Sequence, residues 1–108
     1  MAWKDDIVQF DGISAKELEK LVKKYKGARN RHNYAPPVGK LIRLAKKIGS
    51  KNIRFGGYLD LRKYSPQKGV FVDTVYVKRP YVIDVLEIAD GCPDEYHIRS
   101  RWVKLWWD

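Results

Sequence analysis

Apolar and polar residues alternate through several strand-length runs between Ile53 and Trp107, a pattern that predicts an antiparallel sheet. The most regular run is Val82 to Ile88. At period two, Val82, Asp84, Leu86 and Ile88 share one side and Ile83, Val85 and Glu87 the other, so the run reads as a strand with one polar residue on each side. Val70 to Val77 reads as another, with Phe71, Val75 and Val77 opposed to Val70, Val72 and Tyr76. In a strand beginning near Asn52, Ile53, Phe55, Leu59 and Leu61 face away from Arg54, Tyr58 and Arg62, and Gly56 and Gly57 permit a bulge or a close approach by a helix. Tyr96 to Trp107 reads as one long final strand, with His97, Arg99, Arg101, Val103, Leu105 and Trp107 opposed to Ile98, Trp102 and Trp106. Turns are expected at Ser65 to Gly69, Lys78 to Pro80 and Asp90 to Pro93.

The period changes in the first half. After a short strand, Ile7 to Phe10, and a turn at Asp11-Gly12, Ser14 and Glu17 have the spacing of a capping box, with Ile13 placed to staple onto Leu18. Leu18, Leu21, Val22 and Tyr25 form a helical stripe that Gly27 terminates. Ala35-Pro36-Pro37 leads into a second helix with the stripe Val38, Leu41, Ile42, Ala45 and Ile48, ending at Gly49. The predicted fold is α+β: one compact domain over residues 1–108, with an antiparallel sheet of about four to five strands and two N-terminal helices packed on one face. Tryptophans on both sides of a terminal strand call for cover on both sides, from the helices on one and from Trp3 or a second subunit on the other. A homodimer through this C-terminal aromatic strand is therefore one expectation.

Charge narrows the range of partners. Of the formal +9, all lies in residues 1–54, which carry 14 Lys or Arg and 5 Asp or Glu; residues 55–108 carry 8 of each. Such asymmetry points to a polyanion, nucleic acid first and an acidic protein surface second. The single cysteine, Cys92, excludes an intrachain disulfide and a four-cysteine zinc site. No run of about 18 apolar residues is present and the N-terminus lacks a signal-peptide pattern, so the expectation is a cytoplasmic protein without a membrane partner.

The candidate nucleic-acid contacts follow from these patterns. Lys40, Arg43 and Lys47 stand opposite the apolar stripe of the second helix, which contains no acidic residue. Arg29, Arg31 and Tyr34 place guanidinium forks and an aromatic ring in one loop, and Arg54 and Tyr58 share a strand face; forks grip phosphates and rings stack on unpaired bases. Trp102, Trp106 and Trp107 are the candidate anchors of a protein interface.

Catalytic chemistry is poorly served. Cys92, Asp94 and His97 match no ligand spacing, and neither a Walker loop nor a dinucleotide fingerprint occurs. Asp73 and Asp84 would be cross-strand neighbours if Lys78 to Pro80 closed a hairpin, leaving a metal-dependent nuclease as a third option. The leading expectation is a small, basic, noncatalytic nucleic-acid-binding or accessory protein, for DNA or RNA, that uses no cofactor. The alternative is a protein-interaction module or inhibitor, including one of phage or mobile-element type, directed at an acidic protein.

Overall fold

The computed structural model describes residues 6–108. Five strands, β1 (Ile7–Ile13), β2 (Ile53–Asp60), β3 (Gly69–Lys78), β4 (Glu95–Arg99) and β5 (Trp102–Trp106), form one antiparallel sheet in the order β1-β2-β3-β5-β4. Helices α1 (Ala15–Tyr25) and α2 (Val38–Ile48) supply apolar stripes to the same core cluster as Phe55, Val75, Val77 and Leu105 of the sheet, as expected. The capping box at the start of α1 is formed: the Glu17 N–H donates to Ser14 Oγ (3.1 Å) and the Ser14 N–H to Glu17 Oε1 (3.0 Å). These bonds satisfy two backbone donors that the helix itself cannot.

The run Val82 to Ile88 is not a strand. A 3-10 turn at Arg79–Tyr81, with Pro80 inside it, leads into a third helix, α3 (Val82–Glu87). Val82, Val85, Leu86 and Ala89 pack on the core at helical spacing, while Ile83 and Glu87 point to solvent. Asp84 is thus on a helix, and the cross-strand arrangement with Asp73 does not exist.

Two further boundaries differ from expectation. Asp11-Gly12 does not end the first strand; it forms a bulge, and β1 continues to Ile13. The long final strand is a hairpin, β4 and β5, which turns at Ser100-Arg101 with Ser100 at φ 56°. β5 therefore lies inside the sheet, between β3 and β4, and the tryptophan strand has no open edge through which to pair. Trp3, expected as its cover, lies outside the described residues.

The paired glycines of β2 do mark a bulge. Gly56 pairs with Thr74 and Gly57 with Val72, leaving Asp73 as the extra residue of β3. A Cβ on Gly57 would sit 2.0 Å from the Phe71 carbonyl oxygen, so no other residue fits the approach of the two strands. The bulge also switches faces, which puts Val70 and Val72 in the core with Val75 and Val77 and sends Phe71 to the opposite side.

Candidate functional site

All three helices pack on one face of the sheet, and among the described residues the other face carries no helix. At one end of this second face the loop between α1 and α2 folds over the sheet. Asn30 Nδ2 donates to the carbonyls of Lys68 (2.7 Å) and Val70 (3.2 Å), and His32 Nδ1 lies 2.8 Å from Tyr58 Oη. Tyr58 stacks on Phe71 with ring centroids 5.0 Å apart, and burial raises its phenol pKa above the ordinary value. The loop is therefore tied down, and the Tyr58 ring is held between Phe71, on which it stacks, and His32, which it meets edge-on.

At the other end the face is open. Residues directly opposed across antiparallel strands point the same way, so the register lays out three successive rungs across β3, β5 and β4. The first is Lys78, Trp102, Arg99; the second Tyr76, Lys104, His97; the third Thr74, Trp106, Glu95. Cations and rings alternate along β5 and across the first two rungs. Lys78 Nζ is 5.7 Å from the Trp102 ring centroid and Lys104 Nζ 5.9 Å from that of Tyr76, within cation–π range. Tyr76, His97, Arg99, Trp102 and Lys104 line a depression of about 390 Å3. A second, of about 340 Å3, continues it over Trp106 and the glycine bulge toward Asp11 and Asp73.

The electrostatics of this surface are graded. The Arg79 N–H donates to the Arg101 carbonyl (2.9 Å), which brings two more guanidinium groups to the end where Lys78 and Arg99 stand. None of Lys78, Arg79, Arg99, Arg101 and Lys104 has a described carboxylate within 4.0 Å. Carboxylates enter toward the opposite end, with Glu95 facing Trp106 and Asp73 in the bulge. The Tyr76 hydroxyl donates to Asp11 (2.7 Å), and burial together with that bond pushes its pKa up to about 12. Tyr76 is thus a neutral ring fixed in place at any ordinary pH.

The residues singled out from sequence are scattered by comparison. Lys40, Arg43 and Lys47 do share the outer side of α2, but Asp84 and Glu87 of α3 line the same shallow depression, and Lys46 pairs with Glu19 of α1 at 3.0 Å. The neighbours supply carboxylates to the helix surface, but Lys40, Arg43 and Lys47 have no described carboxylate within 4.0 Å. Arg31 is bonded to Asp90, while Arg29 is exposed. Tyr34 is 65% exposed, with its ring against Gly91. Arg54 lies on the helix-free face opposite Tyr76, where it donates to the Gly12 carbonyl (3.3 Å) and helps lower the pKa of Glu17, whose chief cause is the bonding from Ser14.

Trp102 and Trp106 stand half-buried on the open face, whereas Trp107 is 1% exposed in the core and donates from Nε1 to the Gly91 carbonyl (3.0 Å). The sequence pattern does not single out Tyr76, Lys78, His97, Arg99 and Lys104. A period-two reading of β3 and β5 does place Tyr76 with Lys78 and Trp102 with Lys104, so their alternation was visible; what joins the strands, the hairpin at Ser100, carries no glycine, proline or asparagine to announce it. Among the described residues, no three His, Cys, Asp or Glu side chains converge to hold a metal ion. None of their helices is long and apolar enough to cross a membrane. No family model, curated protein or solved structure matches the chain.

Proposed function

We propose that the protein binds single-stranded nucleic acid, without catalysis, on the open face of its sheet. The observation that carries this reading is the alternation of three half-buried rings, Tyr76, Trp102 and Trp106, with Lys78, Lys104 and Arg99 on three adjacent strands. Rings stack on unpaired bases of any sequence, and cations between them neutralise the connecting phosphates. Trp102 and Trp106 are four residues apart on one strand, roughly 13 Å, which leaves room for more than one base along β5. A duplex keeps its base faces covered and could use only the cations.

The test is fluorescence anisotropy with labelled single- and double-stranded DNA and RNA at several salt concentrations. Single strands should bind more tightly than duplexes, and more weakly as salt rises. Trp102→Ala should cost about 1–3 kcal/mol at every salt concentration. Lys104→Ala should reduce the slope of log K against log salt by about 0.7. Circular dichroism checks that both variants fold. Absent binding at low salt, or binding indifferent to both substitutions, would remove the proposal and direct attention to an acidic protein as the partner of this surface.

A further inference from the structure

We infer that the free edge of β4 pairs with β4 of a second copy of this chain, an interaction that does not depend on what binds the open face. Among the described residues, β4 is the last strand of the sheet and is paired on one side only, with β5. All five of its residues are exposed, including Tyr96 (66%) and Ile98 (57%). Edge strands are commonly blunted by short length, charged side chains, a proline or a bulge; β4 has five residues with no lysine or proline, its register with β5 is unbroken, and its two charged residues, Glu95 and Arg99, are of opposite sign.

The backbone directions follow from one bond. The Trp107 N–H donates to the Asp73 carbonyl, so Trp107, Leu105 and Val103 direct their backbone groups to β3, and Trp106, Lys104 and Trp102 direct theirs to β4. Glu95, His97 and Arg99 then bond to β5, and the N–H and C=O groups of Tyr96 and Ile98 point away from the sheet. These four groups are what an added strand would meet.

The sequence of β4, Glu-Tyr-His-Ile-Arg, is complementary to itself when reversed. With a two-fold axis at His97, Glu95 of one copy faces Arg99 of the other on the open side. Tyr96 faces Ile98 on the helix side, and His97 faces His97. The outward groups of Tyr96 and Ile98 then form two hydrogen-bonded pairs, the kind that antiparallel strands place on either side of a non-bonded central pair. Moving the axis to Ile98 would instead set His97 against Arg99, Tyr96 against Ser100 and Glu95 against Arg101, the last two partners lying in the turn beyond β4. Both ion-pair positions and both apolar positions are satisfied within β4 only in the first register. Such an interface is isologous and closes on itself as a dimer. The two open faces would become one surface, with His97 of both copies at its centre, flanked by two Glu95–Arg99 pairs.

Sedimentation velocity over a concentration series reaching the high micromolar range should show the full chain passing from one copy to two. Glu95→Arg and Arg99→Glu each set like charges opposite one another, and each should weaken the dimer by on the order of tenfold or more. Mixed in equal amounts, the two variants should recover association, because each reversed charge then faces the other. That recovery also shows that both variants are folded. A wild-type chain that stays monomeric throughout, leaving the edge to a foreign strand, would overturn the inference. So would single variants that dimerise like the wild type, or a mixture that gains nothing.

Discussion

Asp60 shows how one side chain closes a turn and ties it to pH. Its carboxylate accepts from Arg62 Nε (3.0 Å), Arg62 Nη2 (2.8 Å), the Arg62 N–H (3.1 Å) and Ser65 Oγ (2.9 Å), fastening the chain as it leaves β2 for the turn before β3. The Arg62 side chain is the main cause of a pKa lowered to about 2, against the desolvation that would raise it. A depressed carboxylate contributes stability that is present above its unfolded value, near 3.8, and is lost as pH falls toward its folded one. Discounted for the half-exposed guanidinium, the contribution is about 1–2 kcal/mol. Urea unfolding of the wild type should therefore lose about that much stability between pH 4 and pH 2, and Asp60→Asn should be less stable at pH 5 but flatter across the same window. Equal slopes for the two proteins would mean that the carboxylate is not held as described.

The elements divide by how their signals arise. Caps and stripes are local, so α1 and α2 could be read almost to the residue from Ser14, Glu17 and Gly49. A bulge at paired glycines was equally open to reading, since only a backbone without a side chain passes 2.0 Å from a carbonyl at the Cβ position. Val82 to Ile88 was not, because Val82, Val85 and Leu86 satisfy a helical stripe while the same seven residues also alternate. The single polar residue on each side of that supposed strand was the clue, as Asp84 has no place on a buried face. The hairpin at Ser100 was hidden for a different reason: its turn is formed without the usual residues, so the pairing of His97 with Lys104, and with it the open-face site, had no local signature. Helix and strand make opposite demands on Ile83 and Val85, which would share a face at period two but differ at period 3.6. Ile83 is 65% exposed and Val85 fully buried. Ile83→Lys should change stability by less than about 0.5 kcal/mol and Val85→Ala should cost about 2 kcal/mol, as read from urea midpoints. Similar costs at both positions would favour the strand.

For the molecule as a whole, folding redistributes charge that the linear sequence divides into a basic half and a neutral half. The neutral half sends its carboxylates to the basic one: Asp84 and Glu87 stand beside Lys40, Arg43 and Lys47, and Asp90 bonds Arg31. What remains behind is cationic, with Lys78, Arg79, Arg99, Arg101 and Lys104 gathered toward one end of a sheet whose half-buried rings face the same way. Two surfaces are thus candidates for the proposed polyanion, and they differ in kind. The α2 surface has three cations facing two carboxylates and no ring, whereas the sheet has cations interleaved with Tyr76, Trp102 and Trp106. Counterion release counts only the cations that contact phosphate, each contributing about 0.7 to the salt slope on a single strand. Replacing Lys78 and Lys104 by alanine should therefore lower the slope by about 1.4 and weaken binding at low salt. Replacing Lys40, Arg43 and Lys47 together removes more charge but should change the slope less, because those side chains lie away from the bound strand and act only through the screened long-range field. The opposite ranking of the two variants would place the strand on α2 and leave the aromatic face to another partner.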